Sequence, residues 1–209
     1  MPPTRPYRSV RRETEAAATR RDILIAAREL FAAHGYARVT VADIAGRAHT
    51  AVKTVYASAG TKADILSELL AAAVHTSGAE ETLAAILETD DLESAMRHLA
   101  RGTRRGQETH RETLDILFSS MASHETAEDV WRQATEYYRE TLRRVAEHLH
   151  GRGLLAPGLD VAAAADRLWF CFGLTAWRTL VKDCGWSYDE AERWLGEQAV
   201  GMLGDSARG

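Results

Sequence analysis

The sequence predicts an all-α protein with an N-terminal head of three helices and a larger C-terminal helical domain. Three observations predict this fold class. Only four of the 209 residues are proline, and none of them lies between Pro6 and Pro157. Ala and Leu, which favour helices, recur throughout that stretch. Apolar residues repeat at helical spacing, and no segment has the alternation of a convincing strand.

The first helix is predicted from about Ala16 to His34. Its apolar stripe recurs at i, i+4, i+7 and i+8, at Ile23, Ala27, Leu30 and Phe31. Gly35 is expected to end the helix as a C-terminal cap. Residues 1–15 are predicted to form a flexible basic arm. The arm either lies on phosphates or in a minor groove, or is a disordered tail, and its arginines are Arg5, Arg8, Arg11 and Arg12.

The second and third helices are predicted to form a helix-turn-helix within residues 16–60. Thr40 is a good N-cap, with Asp43 at the capping-box position, and the second helix ends near Ala48. His49 and Thr50 form the turn, and the third helix covers about residues 51–57.

The remaining chain, residues 61–209, is predicted to be one helical domain. Thr61 caps a fourth helix, and Pro157-Gly158 breaks the chain before the last pair of helices, which Asp160 and Ser187 cap. Approximate helices follow the fourth at 80–89, 91–105, 108–122, 125–151, 160–183 and 187–203.

Charge is unevenly distributed along the chain. Residues 1–56 hold 10 Lys or Arg and 5 Asp or Glu, whereas residues 57–209 hold 16 and 25, within a net charge of −4. A basic head on an acidic body favours a head that binds nucleic acid, and the alternative is an unevenly charged solvated surface.

The composition argues against several other classes of protein. No apolar run approaches the roughly 20 residues of a membrane span, and the N-terminus lacks the apolar core of a signal peptide. We therefore expect a cytoplasmic protein that does not bind membranes. Cys171 and Cys184 are expected to be reduced thiols. We expect no metal, no cofactor and no catalytic site, because no Cys/His cluster, HExxH motif or nucleophile–base pair stands out.

The predicted helix-turn-helix places hydroxyl, basic and aromatic side chains where they can contact double-stranded DNA. Lys53 suits a guanine edge or a phosphate, Val52 a thymine methyl, and Tyr56 a phosphate. The alternative for each residue is structural, as a cap, a packed ring or a solvated side chain. The predicted DNA-binding residues are Thr40, Thr50, Val52, Lys53, Thr54, Tyr56 and Lys62.

The same segment resembles the TetR family of transcriptional regulators over roughly residues 20–70. Members typically show LF..hGy followed by T-v-x-d-IA..AGVS.gtlY..F.sK..Ll. The matching residues here are Leu30-Phe31, Gly35-Tyr36, Thr40-Val41, Asp43-Ile44-Ala45, Ala48, Thr54, Tyr56, Lys62 and Leu66. The resemblance implies a two-domain helical fold, a homodimer on a DNA operator, and a cavity for a small molecule whose binding releases DNA.

The chain departs from the family pattern at the turn. His49-Thr50-Ala51 replaces the usual Gly-Val-Ser, so histidine occupies a position that favours a left-handed backbone. Ala51 cannot cap the third helix, so either Thr50 takes over that cap or the helix begins irregularly. Ala59 also replaces the usual aromatic residue, and Val52-Lys53 alters the base-reading face.

The nearly apolar segment 166–177 predicts a dimer interface, because a helix apolar all round must be covered on more than one side. We infer a four-helix bundle made by the last two helices of two chains. The alternative is a fully buried central helix in a monomer. The predicted interface residues are Trp169, Gly173, Trp177, Trp194 and Met202.

A hydrophobic effector site is predicted from aromatic and methionine side chains of the C-terminal domain, with a few polar groups. The alternative for each residue is ordinary core packing. The predicted lining residues are His98, Phe118, Met121, Trp131, Tyr138 and Phe170.

Together these features predict a homodimeric transcriptional repressor that binds a palindromic operator and is released by a hydrophobic small molecule. A second hypothesis is a helical small-molecule-binding protein or enzyme whose head binds DNA weakly or without specificity. A third is an activator, or a regulator that has lost its original operator.

Overall fold

A computed structural model describes residues 7–121 and 125–204, without the side chains of residues 7–11, 125–130, 133 and 134. The described residues form helices and no strand, which confirms the all-α prediction. No helix among them is long and apolar enough to span a membrane. The helices are α1 (Tyr7–His34), α2 (Val41–Arg47), α3 (Val52–Ala59), α4 (Lys62–His75), α5 (Ala79–Leu87), α6 (Leu92–Thr109), α7 (Arg111–Ser120), α8 (Glu125–Gly151), α9 (Val161–Phe172), α10 (Leu174–Arg178) and α11 (Tyr188–Leu203).

The chain divides into two compact units. Unit 1 contains the chain up to Ala72 together with Glu112–Arg132, and unit 2 contains Ala73–Arg111 and the chain from Gln133 onward. The division therefore lies within α4 and not near residue 60, where the sequence placed it. The first turns of α4 belong to unit 1 because their apolar side chains, Ile65 and Leu66, are buried in it.

α1 begins at Tyr7, so the predicted start near Ala16 is wrong. Residues 7–15, assigned to the arm, are helical because the chain after Pro6 contains no proline or glycine before Gly35. Arg12 is exposed on this part of α1. Arg5 and the side chains of Arg8 and Arg11 lie outside the described residues.

The core of unit 1 begins with the predicted stripe of α1. Ile23, Ala27 and Phe31 are at most 1% exposed, and Leu30 is half-buried. Against this stripe pack α2 and α3, through Ile44, Ala45, Val55 and Ala59. α1, α2 and α3 thus share one core, which turns the remaining face of α3 toward solvent.

The turn between α2 and α3 is a Schellman motif with histidine in the left-handed position. The His49 N–H donates to the Gly46 carbonyl at 3.2 Å, and the Thr50 N–H donates to the Ala45 carbonyl at 2.9 Å. This pattern requires a positive φ at His49, which has φ 51°. His49 is the one non-glycine residue with a positive φ in the described part of the chain.

Unit 2 has its own core, in which α6 packs between α5 and α11, and α11 also contacts α9. Its largest buried side chains include Met96, Phe172 and Trp177. Both predicted caps are confirmed: the Asp160 side chain accepts from the Ala163 N–H, and Ser187 forms a capping box with Glu190. These caps fix where the last two long helices begin.

The predicted helix over 160–183 is broken at Gly173, which corrects the sequence prediction. Gly173 has ψ 160°, so α9 ends at Phe172, and a short α10 leads into a π-helical segment, Thr179–Asp183. The break frees the Phe172 carbonyl, which accepts a hydrogen bond of 2.6 Å from the Tyr138 hydroxyl. A Cβ at Gly173 would lie 2.5 Å from the Trp169 carbonyl oxygen, so the close approach requires glycine.

We expect Gly173→Ala to lower the free energy of unfolding by about 1–3 kcal/mol, because the added methyl group meets main-chain oxygen that cannot rotate away. Thermal unfolding at fixed protein concentration measures the effect. Gly151→Ala is the matched control, since no atom lies within 4 Å of a Cβ there. Equal melting temperatures for the two variants would contradict this account of the break.

His49→Gly should raise the free energy of unfolding by about 0.5–1 kcal/mol, because glycine adopts a positive φ without the steric cost that histidine bears. The melting temperature should rise by roughly 2–4 °C per kcal/mol for a chain of this length. Ala48→Gly is the control and should lower it, since Ala48 has φ −82° and gains nothing from glycine. A fall for His49→Gly would contradict the prediction.

Candidate nucleic-acid interface

The exposed face of α3 carries side chains suited to DNA. Val52 is 41% and Tyr56 is 53% exposed, and Lys53 is exposed beside them. These residues are spaced i, i+1 and i+4, so they share one side of the helix. The adjoining side of the helix is buried through Val55 and Ala59. The exposed face therefore combines an apolar contact for a thymine methyl, a cation for guanine or phosphate, and a phenol for phosphate.

α3 begins without a side-chain cap. Its N-cap is Ala51, whose carbonyl accepts from the Thr54 and Val55 N–H groups at 2.8 and 3.2 Å. Thr50 does not take over the cap, because the N-cap position is Ala51 and no side-chain oxygen accepts from the first N–H groups of α3. Thr50 and Thr54 are half-buried, so they are less accessible to a DNA duplex than Lys53 is.

Thr40 is the N-cap of α2, as predicted, but its hydroxyl is already engaged. The hydroxyl donates to Asp43 Oδ2 at 2.7 Å, and the Thr40 N–H donates to the same oxygen at 2.8 Å. These hydrogen bonds lower the pKa of the exposed Asp43 carboxyl. The Thr40 hydroxyl proton is therefore directed at Asp43 in the DNA-free chain, and the contact of Thr40 and the N-terminal amides of α2 with a phosphate stays a prediction.

The sequence places Lys62 beside the DNA backbone, with a solvated lysine as the alternative, but in the DNA-free chain its ammonium is bonded within unit 1. Its ammonium donates to the Tyr36 and Val39 carbonyls, both at 2.9 Å, and lies 4.3 Å from the centre of the Tyr36 ring. Burial lowers the pKa of this partly buried amine. The side chain is drawn inward because the carbonyls and the ring face provide partners that compete with water.

Ion pairs within unit 1 occupy other basic side chains. Arg47 contacts Glu29 at 2.6 Å, and Arg20 contacts Glu68 at 2.8 Å. Arg38, in contrast, is exposed just before α2, and no carboxylate of a described residue lies within 4 Å of it. The sequence prediction did not include Arg38, although its position next to the capped N-terminus of α2 was the available signal.

The predicted effector residues divide between the two units. In unit 1, the Phe118 and Trp131 rings pack 5.5 Å apart, and Met121 is 45% exposed. In unit 2, Tyr138 is half-buried against Trp169, and desolvation raises the pKa of its hydroxyl well above the ordinary range.

His98 and Phe170 do not line an enclosed cavity in the described chain, contrary to the prediction. His98 is exposed on α6, and Phe170 is 73% exposed on α9. Both positions lie on the solvent side of their helices because neighbouring residues, Leu99 on α6 and Cys171 on α9, take the buried side.

The predicted dimer residues also fall into two groups. Trp177 is 1% exposed and Gly173 is buried within a single chain, so neither can contact a partner. The prediction that these two residues belong to the dimer interface is corrected. Trp169 is half-buried against Tyr138. Met202 is half-buried, with its sulfur 3.6 Å from Cys171 Sγ, and Trp194 is 40% exposed.

A groove of about 900 Å³ lies between α6 and α11 in unit 2. Buried apolar residues, Met96 and Ala100, line part of it, but its rim is charged. At one end Arg104 donates to Glu192 at 2.9 Å and to Glu108 at 3.1 Å. None of the predicted effector residues lines this groove. The groove thus combines a partly apolar floor with a charged rim.

The described residues contain no cluster of three or more potential metal ligands. No curated protein sequence matches the chain.

Solved regulators share the fold across most of their length. A putative TetR-family transcriptional regulator from Mesorhizobium loti has a TM-score of 0.68 and 21% identity, with 90% of this chain and 98% of that one covered. The regulator FadR from Bacillus subtilis, in complex with stearoyl-CoA, has a TM-score of 0.70 and 18% identity, covering 87% and 98%. The SmeT–triclosan complex has a TM-score of 0.71 and 18% identity, covering 90% and 93%.

The sequence similarity is concentrated where the helix-turn-helix lies. Residues 23–69 match the family described as bacterial regulatory proteins, TetR family. This range contains most of α1, all of α2 and α3, and the start of α4. Residues 23–69 therefore match the TetR family of bacterial regulatory proteins, and the described chain has the fold of solved TetR-family transcriptional regulators.

Proposed function

We propose that the protein is a sequence-specific DNA-binding regulator that acts as a homodimeric repressor and is released by a hydrophobic small molecule. The observation that carries the DNA-binding part is the exposed face of α3, with Val52, Lys53 and Tyr56 above a buried Val55. A regulator of this kind acts where the DNA is, and we propose a cytoplasmic location.

Exposed aromatic residues in unit 2 support the proposed dimer. Phe170 on α9 and Trp194 on α11 are exposed in a single chain, although α9 and α11 pack together. A second copy would cover these rings and form a four-helix bundle. Two heads related by a two-fold axis suit a palindromic operator. In this proposal Phe170 takes the place of the buried Trp177 at the interface.

The proposed effector class rests on two structural neighbours. Triclosan and stearoyl-CoA, the molecules in the SmeT and FadR complexes, both have large apolar parts. In this chain the Phe118–Trp131 pair supplies aromatic surface of the matching kind. A ligand releases DNA only if it binds the DNA-free state more tightly than the DNA-bound state.

A second candidate is a helical small-molecule binder whose head binds DNA weakly. The inward side chain of Lys62 favours it, because an ammonium bonded to main-chain carbonyls is not available to a DNA phosphate. Activation in place of repression is a third possibility that depends on the position of the operator.

Fluorescence anisotropy distinguishes the first two candidates. The purified protein is titrated into DNA flanking its own gene and into a scrambled duplex, over a salt series. A sequence-specific regulator should bind the former about a thousandfold or more tightly. Equal, steeply salt-dependent binding to both would mean that only phosphates are contacted. Absence of binding to either would favour the small-molecule binder.

Lys53→Ala should weaken binding to the specific duplex by about 1–3 kcal/mol, or roughly 5- to 150-fold, if Lys53 reads a base edge. Tyr56→Phe should cost less, about 2- to 10-fold, because it removes one hydrogen bond to a phosphate. Arg97→Ala is the control, since Arg97 is an exposed cation of unit 2. Unchanged affinity for both head variants, with circular dichroism unchanged, would refute this assignment of the reading face.

Phe170→Arg should convert a dimer to a monomer, because the interface would have to bury an unpaired charge. Size-exclusion chromatography with light scattering gives the mass directly. Leu87→Arg is the matched control, since Leu87 is 43% exposed on α5, outside the proposed interface. A wild-type monomer, or a Phe170→Arg variant that remains dimeric, would refute the proposed interface.

A further inference from the structure

The first residue of α4 is a lysine whose placement is electrostatically unfavourable. The N-terminus of a helix carries a partial positive charge, so a cation in the first turn is repelled by the helix dipole. Lys62 nevertheless lies there, and its amine is partly buried. No carboxylate of a described residue lies within 4 Å to compensate it. The placement therefore calls for another source of stabilisation.

The contacts of Lys62 supply that stabilisation and tie three segments together. Its ammonium reaches two main-chain carbonyls, those of Tyr36 and Val39, at 2.9 Å each. Tyr36 is 6% exposed, and its ring packs against Phe31 of α1 at 5.1 Å while its face receives the ammonium. α4 is thus bonded to the connection between α1 and α2.

That connection leads directly into α2. Val39 is 3% exposed and immediately precedes Thr40, the N-cap of α2. The hydrogen bond from Lys62 therefore holds the Val39 carbonyl, which belongs to the residue just before the N-cap of α2. Any shift of this carbonyl changes the start of α2, and α2 carries the turn that orients α3.

α4 is itself held at its first turn by a second capping box. The Thr61 N–H and hydroxyl both donate to Asp64 Oδ2 at 2.8 Å, and the Asp64 N–H donates to the Thr61 hydroxyl at 3.2 Å. Because Lys62 lies inside this box, its backbone is fixed at a defined position. The side chain of Lys62 therefore extends from a fixed backbone position.

We propose that Lys62 is a positioning residue for DNA binding, which holds the Tyr36–Thr40 connection and hence α2 through its ammonium, and which does not itself neutralise a DNA phosphate. The proposal rests on the proposed DNA-binding function. It assigns to Lys62 a role different from the phosphate contact that its sequence position suggests.

Hydrogen exchange in the DNA-free protein gives the first test. Lys62→Met keeps the length of the side chain and removes the ammonium, so the amide protons of Asp43 and Ile44 should exchange about tenfold faster or more. Lys53→Met is the matched control and should leave these rates unchanged, because Lys53 is exposed on α3. Unchanged exchange in Lys62→Met would overturn the proposal.

The salt dependence of binding to a scrambled duplex gives the second test. Each phosphate contact that is lost lowers the slope of log K against log salt by about 0.9. Lys53→Met should lower the slope, whereas Lys62→Met should leave it unchanged although it weakens binding to the specific duplex. A lower slope for Lys62→Met would show a direct phosphate contact and overturn the proposal.

Two further results keep the test decisive. If Lys62→Met does not fold, Lys62→Gln replaces it, because the glutamine amide retains a donor for one of the two carbonyls. Lys62→Gln should then show exchange rates between those expected for the wild-type protein and for Lys62→Met. Wild-type exchange rates in Lys62→Gln would overturn the proposal. If the wild-type protein binds no DNA, the proposed function fails by that result, while the exchange rates still determine whether Lys62 holds the connection.

Discussion

The side chains that α3 presents to solvent depend on a few main-chain hydrogen bonds at the end of α2. The Thr50 N–H donates to the Ala45 carbonyl, and this hydrogen bond ends α2 and turns the chain toward α3. The rotation of α3 about its own axis is then fixed by burial of Val55 and Ala59. Because both constraints act together, Val52, Lys53 and Tyr56 are directed outward without support from their own side-chain contacts.

The basic residues of unit 1 are divided between structural and accessible roles. Lys62 is bonded to carbonyls, and Arg20 and Arg47 are paired with glutamates. Lys53 and Arg38 remain exposed. The net charge of the head therefore overstates the number of phosphates that it can contact, since a cation held by internal partners must lose them before it reaches DNA.

In unit 2, one glycine determines which aromatic residues are buried. Helical periodicity predicts neighbours correctly only while the helix continues, and the backbone leaves the helix at Gly173. Trp177, beyond the break, turns into the core, whereas Phe170, before it, stays exposed. The apolar character of the segment was a sound indication of extensive packing, but the assignment of individual residues to the dimer surface failed at the break.

The sequence by itself determined the all-α fold, the capping boxes at Thr40 and Ser187, and the left-handed turn at His49, because these features depend on residues close together in the chain. Only the tertiary structure decided that Lys62 points inward and that Trp177 is buried while Phe170 is exposed. Their environments are set by segments distant in sequence, such as the carbonyls of Tyr36 and Val39 for Lys62. Local patterns encode helix ends, but they do not encode which partner a long side chain finds across the fold.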